Sequence, residues 1–346
     1  MELRTVVERA TLVDPAGQRT EQEIEHRTCP LTGSVASLNA AFGEKARAFL
    51  GSADLALLDE LEQRSRAGCP FCAAGERGTR FVPEVSAEPQ VRIGRALAVP
   101  NLFAKCAFDC VVILDPALHV LHPSRLPADA LGDALRAAAR LVRLARERDG
   151  SRVHHLAGMN FLHPGGSSVP HPHLQVHARA APYSAVARTL DAAAAHRART
   201  GRSFFDDLLD HESRDGARWI GRTGAVQWVA AFAPAHQREI WGVLPGTASL
   251  ASARDEDLAA FGDGLARVVS AYEEWGAHAF TFAFLSSPLP GREGDFALHV
   301  KVCSRPAFRS VYANYDTWFG PLFAGDEVHT EAPEAYAARL RPRFAP

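Results

Sequence analysis

Apolar positions along the chain predict the same order of strands and helices twice. Short apolar runs typical of buried strands occur at residues 96–100, 110–114 and 154–160, and again at 226–232, 239–244 and 279–285. Apolar side chains at helical spacing predict amphipathic helices at 128–147 and 254–274. The two series lie about 130 residues apart, which indicates a duplicated domain rather than a solenoid of many short repeats.

Each series ends in a loop followed by a strand that carries histidine. A Gly/Ser loop at 163–168 precedes a strand at 176–178, and a Pro/Gly/Ser loop at 286–294 precedes a strand at 296–302. The pattern predicts an α+β fold with antiparallel sheets and helices packed on one face. The two sheets are either separate or joined edge to edge into one larger sheet.

Two further elements precede the first series. Residues 44–66 have the apolar spacing of a helix, and a glycine-bounded knuckle with the sequence Cys-Pro-Phe-Cys follows at 69–72. We place the first domain at 1–183 and the second at 225–346. Residues 184–224 are charged and irregular in pattern with one predicted helix, so we interpret them as a connector.

Composition restricts the class of partner. The 346 residues are 47% hydrophobic and 23% charged with a net charge of −2, which is typical of a folded protein and leaves no basic face for nucleic acid. The apolar stretch at 225–235 is too short for a bilayer span of about 20 residues. The N-terminus lacks the apolar core of a secretory signal. We therefore expect a soluble, cytoplasmic protein that binds neither nucleic acid nor membrane.

Histidines concentrate after the Gly/Ser loop, in the sequence His171-Pro-His173-Leu-Gln175. Alternate residues of a strand share one face, so these three polar side chains are predicted to project together. An imidazole can attack phosphorus covalently, an amide can bind phosphoryl oxygens, and a Gly/Ser loop can bring backbone N–H groups to a phosphate. The alternative interpretation is a polar strand with incidental histidines.

The spacing around these residues resembles that of a known family. Asn160 and Ser168 precede His173 by 13 and 5 residues. With His-x-His-x-Gln, this spacing resembles the galactose-1-phosphate uridylyltransferase branch of the histidine-triad superfamily. The resemblance extends to Pro-Leu-Thr-Gly at 30–33, to the Cys-Pro-Phe-Cys knuckle and to the tail at 332–341.

The resemblance implies a fold and a set of roles. The fold is two tandem histidine-triad-like domains, of which the first has kept the nucleophile. His173 takes the nucleotidyl group and Gln175 holds its phosphate. The phosphate contacts implied by the resemblance are Asn160 and Ser168, and the Gly/Ser loop adds Gly166 and Ser167 as candidate phosphate contacts.

Cys69 and Cys72 form half of a tetrahedral zinc site by their spacing, although two thiols packed near a turn would give the same pattern. The resemblance implies that His171 and one histidine after the second strand complete a structural Cys2His2 zinc site. We prefer His119, because it keeps the family's distance to the Leu-Pro that starts the helix. His122 stays open as the alternative.

The chain also departs from the family. A second metal site of the uridylyltransferases uses a glutamate and three histidines, but here His299 stands in the final strand without the others, and Thr189 stands at the glutamate position. We therefore expect one structural zinc site and no second metal site. Phe42 stands where an arginine is expected, with Lys45 and Arg47 nearby, which leaves the base and the sugar open.

The leading hypothesis is a nucleotidylyltransferase with ping-pong chemistry. It would move a nucleoside monophosphate between a nucleotide-sugar and a sugar 1-phosphate through a covalent nucleotidyl-histidine. One alternative is a nucleotide phosphorylase or hydrolase, in which phosphate or water takes the second step. Another is a non-catalytic nucleotide-binding protein. The resemblance also implies a homodimer.

Overall fold

The computed structural model describes residues 1–43, 52–290, 292, 294–311 and 318–345. Lys45, Arg47 and the first part of the helix predicted at 44–66 lie outside the described residues. The part of that prediction within the described range is confirmed from Leu55 onward. Residues 291 and 293 of the predicted loop at 286–294 also lie outside it.

Fourteen strands are present in the described ranges. They are β1 Arg4–Val13, β2 Arg19–Thr28, β3 Val35–Leu38, β4 Val91–Ile93, β5 Ala96–Pro100, β6 Phe108–Ile113, β7 His154–Phe161, β8 His173–Arg179, β9 Trp219–Thr223, β10 Val226–Ala230, β11 Ile240–Leu244, β12 Phe280–Leu285, β13 Leu298–Ser304 and β14 Glu327–His329. Ten of them form one sheet in the order β4-β5-β6-β8-β7-β12-β13-β11-β10-β9. Every pair in this sheet is antiparallel.

The strand order of the large sheet is the same in its two halves, read from each outer edge inward. Strands β4-β5-β6-β8-β7 meet β9-β10-β11-β13-β12 at the pair β7–β12. The predicted repeat therefore forms one sheet joined edge to edge. Gly158 lies at this join, where a Cβ would come within 2.5 Å of the Phe282 carbonyl oxygen. A side chain at that position would push the two halves apart.

The helices of the described ranges are α1 Leu55–Arg66, α2 Ala74–Arg77, α3 Ala128–Arg148, α4 Ser184–Thr200, α5 Phe204–Asp215, α6 Asp255–Glu274 and α7 Pro333–Leu340. The two long helices α3 and α6 lie against each other and cover one face of the large sheet. Their contact is close at Gly262, where a Cβ would lie 2.7 Å from the Ala128 carbonyl oxygen. This layer encloses the largest apolar core and confirms the predicted α+β class.

The opposite face of the sheet is covered in two places. On the second half, α4 and α5 bury Phe205 and Leu190 against Val229 and Trp241. On the first half, the knuckle packs Phe71 and Ala74 against β5 and β6. The segment 184–224 is thus more ordered than expected for a connector, because it contains two helices and the edge strand β9. The domain boundaries themselves stay a prediction.

A second sheet has the order β1-β2-β3-β14. The hairpin β1–β2 was not expected from the sequence. Its first strand is exposed along nearly its whole length, so it lacks the alternation of apolar and polar residues that marks a half-buried strand. No helix in the described part of the chain is long and apolar enough to cross a bilayer.

Candidate functional site

His173 begins β8 on the sheet face that points away from α3. Along this strand Leu174, Val176 and Ala178 enter the core, so the odd-numbered residues face the other way. His173 Nδ1 donates a hydrogen bond of 2.7 Å to the His171 carbonyl oxygen. That bond fixes the tautomer, and Nε2 keeps a free lone pair. Burial lowers the pKa of His173, which favours the neutral imidazole.

His173 and Gln175 line a cavity of about 710 Å³ together with Ser168. The apolar part of the lining comes from Phe71, Val99, Leu102, Phe103 and Val111. Phe71 sets its ring edge-on against the His173 imidazole, with ring centroids 4.8 Å apart. The cavity therefore combines an imidazole with a broad apolar surface.

Lys105 lies beside Gln175 and was not predicted as a site residue. Its Nζ donates to Gln175 Oε1 at 3.5 Å, which leaves the Gln175 amide N–H groups free to donate elsewhere. The loop that carries Lys105 is fixed by the Asp109 side chain, because the Lys105 backbone N–H donates to Asp109 Oδ2 at 2.7 Å. The available signal was composition, since Lys105 is one of three lysines in the chain.

Fewer N–H and hydroxyl groups of the Gly/Ser loop are free to bind a phosphate than its sequence predicts. The N–H groups of Gly165, Gly166 and Ser167 donate within the turn, to His163 or Leu162 carbonyl oxygens. Ser167 is buried and its hydroxyl donates to the Val169 carbonyl oxygen at 2.8 Å. Ser168 is therefore the member of the predicted serine pair that faces the cavity.

Asn160 lies one strand away, on β7, and is exposed. It lines a second cavity of about 420 Å³ with Thr281, Glu239 and Lys301. The Gly/Ser loop approaches it closely, since a Cβ on Gly166 would lie 3.6 Å from Asn160 Nδ2. The structure thus separates Asn160 from the cavity of His173 and places it beside the same loop.

The four predicted metal ligands converge. Cys69, Cys72, His119 and His171 place their ligand atoms within 4.8 Å of one another. The two Nδ1 atoms are 3.2 Å apart, and the sulfur-to-nitrogen distances are 3.3 to 3.5 Å. A tetrahedral ion with bonds of about 2.3 Å to sulfur and 2.0–2.1 Å to nitrogen gives about 3.3 and 3.6 Å for these separations. The cluster has the dimensions of a metal site.

The imidazoles of this cluster are oriented from outside. His171 Nε2 donates to the Asp115 carbonyl oxygen at 3.1 Å, so its Nδ1 carries the inward lone pair. His119 Nε2 lies 2.8 Å from Ser65 Oγ. Outer partners of this kind are typical of metal-binding histidines. Burial lowers the pKa of His171 to about 4, which favours the neutral ring and leaves the Nδ1 lone pair available to a cation.

The structure distinguishes between the two candidate histidines of the loop before α3. His119 belongs to the cluster. His122 points elsewhere, with Nε2 2.9 Å from Asp59 Oδ1 and Nδ1 2.9 Å from Glu273 Oε1. The preference for His119 is thus supported by the position of the side chain.

His299 in the second half repeats the backbone hydrogen bond of His173. Its Nδ1 donates to the carbonyl oxygen two residues earlier, at Ala297, over 2.8 Å. Its Nε2 is buried under the rings of Phe205, Trp241 and Phe296 and has no hydrogen-bond partner among the described residues. Thr189 is buried and donates its hydroxyl to the backbone of its own helix. His299 Nε2 is therefore covered by aromatic rings, whereas His173 lines a cavity.

Comparison with solved structures places this arrangement in a known fold. An ADP-glucose phosphorylase from Arabidopsis thaliana with bound ADP-glucose has a TM-score of 0.70 and 17% identity, over 92% of this chain and 98% of that chain. A uridylyltransferase has a TM-score of 0.66 and 19% identity over the same shares. The chain has the uridylyltransferase fold. The fold implied by the sequence resemblance is thereby confirmed.

Sequence comparison adds one relative. An uncharacterized protein of Archaeoglobus fulgidus is 28% identical over 345 residues, which is 99% of this chain and 98% of that protein. No protein-family model matches the chain.

Proposed function

We propose that the protein is a nucleotidylyltransferase with His173 as its covalent nucleophile. The observation that carries this proposal is the hydrogen bond from His173 Nδ1 to the His171 carbonyl oxygen, which in the neutral ring leaves the Nε2 lone pair free at the cavity. Nucleophilic imidazole needs that tautomer, because the attacking nitrogen must offer a lone pair. Gln175 and Ser168 line the same cavity and are proposed to bind the phosphoryl oxygens.

The reaction runs in two balanced steps. In the first, His173 Nε2 attacks the α-phosphorus of a nucleotide-sugar, the P–N bond forms, and the P–O bond to the departing sugar phosphate breaks. In the second, an acceptor oxygen attacks the same phosphorus and the P–N bond breaks, which restores neutral His173. Lys105, beside Gln175, opposes the negative charge that collects on the phosphoryl oxygens in both steps.

The apolar part of the cavity is suited to the base and ribose of the nucleotide. Leu102 and Phe103 are 72% and 80% exposed, although side chains of this size are usually covered. They stand beside Phe71 and Val99 at the cavity wall. A planar base laid on these side chains would cover them and hold the α-phosphorus near His173.

The Cys2His2 cluster suits zinc, which Cys69, Cys72, His119 and His171 would hold in a closed, structural site. When bound, the ion supplies no open coordination position and acts by cross-linking. Its effect on the site passes through His171, whose side chain is a ligand and whose carbonyl oxygen orients His173. The knuckle also carries Phe71 onto the nucleophile.

The acceptor is proposed to be a sugar 1-phosphate, with the enzyme as a homodimer. A specific observation favours a second candidate: the likeness to an ADP-glucose phosphorylase supports inorganic phosphate as the alternative acceptor.

The donor is identified by incubating the protein with nucleotide-sugars and measuring the intact mass. A gain of one nucleoside monophosphate supports the proposal, and its absence with every donor contradicts it and favours a non-catalytic binding protein.

The second step is separated from the first by isolating the modified protein. Sugar 1-phosphates, inorganic phosphate and water are then offered in turn, and the rate of mass loss is measured for each. Fastest loss with a sugar 1-phosphate supports the transferase. Fastest loss with phosphate or with water assigns the phosphorylase or the hydrolase.

A further inference from the structure

A second group of possible ligands lies on the helix side of the molecule, away from His173. His122 precedes α3, Glu273 lies in the last turn of α6, and His278 precedes β12. Their ligand atoms lie within 4.8 Å of one another. The side chains of the three residues are 10%, 15% and 7% exposed. The group therefore joins the two halves of the chain at a nearly buried point.

Two carboxylates approach the same imidazole in this group. Both nitrogens of His122 face carboxylate oxygens, Asp59 on Nε2 and Glu273 on Nδ1, each at 2.9 Å. A neutral imidazole has one N–H and can donate to only one of these oxygens, so its other nitrogen would turn a lone pair toward a carboxylate. A divalent cation between His122 Nδ1 and Glu273 Oε1 would remove that repulsion and offset the charge of the carboxylates.

The donor atoms are already arranged around one point. Glu273 Oε1 lies 2.9 Å from His122 Nδ1 and 3.6 Å from His278 Nε2. These distances bracket the separation of about 3.3 Å that two ligands at 2.0–2.1 Å subtend at a tetrahedral ion. The other Glu273 oxygen accepts the Ser124 N–H at 2.6 Å, so the carboxylate is held in one orientation.

We propose that His122, Glu273 and His278 bind a divalent transition metal, with zinc as the best match. Two imidazoles and one carboxylate are a zinc-binding set that leaves a fourth position for water. Asp59 would accept the Nε2 proton of His122, which is the outer carboxylate partner common at metal-bound histidines. The site lies apart from the place where the family's second metal would be expected.

Such an ion would tie together elements that are distant in sequence. Asp59 belongs to α1, His122 to the loop that also supplies His119, and Glu273 to α6 of the second half. The loop from 119 to 122 would then be fixed at one end by the cysteine knuckle and at the other by this site. The expected consequence is greater stability of the joint between the halves, without direct participation in chemistry.

The test is the zinc content of the full-length protein, measured by elemental analysis after zinc loading and removal of the excess. The proposal expects two zinc ions per chain in the natural sequence and one in His278→Gln. His26→Gln is the matched control and keeps two. A Cys69→Ser/Cys72→Ser double variant should keep the site described here and bind cobalt with weak visible bands and no thiolate charge-transfer band.

One zinc ion in the natural sequence, unchanged by His278→Gln, would overturn the proposal. The group would then be a hydrogen-bonded contact of His122 with Asp59 and Glu273. If His278→Gln fails to fold, the stoichiometry of the natural chain still decides the question.

Discussion

Loss of the knuckle metal should slow nucleotidyl transfer without abolishing it. Cys72→Ser removes one of the four ligand atoms that face the centre of the cluster. Without a metal bond, the His171 side chain keeps its hydrogen bond to the Asp115 carbonyl oxygen and weaker contacts with Cys69 and His119. The His171 carbonyl oxygen, which holds the His173 tautomer at 2.7 Å, loses its fixed position.

The magnitude follows from that one hydrogen bond. A neutral hydrogen bond contributes about 0.5–1.5 kcal/mol net. If the hydrogen bond no longer orients the nucleophile, loss of this free energy lowers the rate of nucleotidyl transfer about 2- to 13-fold. The assay is single-turnover formation of nucleotidyl-enzyme, followed by intact mass in quenched samples, with zinc content measured on the same preparation.

Cys106→Ser is the matched control, because Cys106 is a half-buried thiol outside the cluster. It should keep its metal and its rate. The reasoning is refuted if Cys72→Ser loses zinc and reacts at the natural rate. It is equally refuted if a folded Cys72→Ser is as inactive as His173→Ala, since the metal would then act on the reacting atoms directly.

Three further predictions concern stability and binding. Arg218→Ala leaves the fully buried Glu212 carboxylate without its cation and should lower the free energy of unfolding in urea by about 3–5 kcal/mol. Arg214 is exposed, so Arg214→Ala should change this free energy by under about 0.5 kcal/mol, and equal effects of the two variants would contradict this account. Phe103→Ala should raise the dissociation constant of the nucleotide donor about 2- to 13-fold and leave the melting temperature unchanged, because the ring is 80% exposed in the free protein. Burial lowers the pKa of His299 to about 3. Below about pH 6.5 the unfolded chain therefore takes up a proton that the folded chain does not, and stability falls with decreasing pH. His299→Leu should flatten this slope by about 1.4 kcal/mol per pH unit between pH 6.5 and 4, and an unchanged slope would count against it.

Eight of the ten strands of the large sheet could be predicted because they alternate or are continuously apolar, whereas the edge strands β4 and β9 were not predicted. The runs at 96–100 and 226–232 correspond to β5 and β10, and the repeat order follows from them. The hairpin β1–β2 could not be predicted in the same way, because β1 is exposed on both faces and carries no period of two. Pairing of β14 with β3 joins residues about 290 positions apart and leaves no local signal.

The site was predictable where short spacing carries the chemistry. His173 and Gln175 lie two residues apart on one strand, and Cys69 and Cys72 lie in one turn, so local geometry brings each pair together. Lys105 reaches Gln175 across strands, a contact set by sheet register. The hydroxyl of Ser167 turns to the backbone of its own loop, which depends on turn geometry that spacing alone does not specify.

The central claim is a covalent bond between His173 and a nucleotide. The most direct measurement is peptide fragmentation by mass spectrometry after reaction with the donor that modifies the intact protein. The account predicts that the nucleoside monophosphate lies on His173, and that His173→Ala carries no adduct while keeping its melting temperature. An adduct on another residue, or full turnover by His173→Ala, would contradict it.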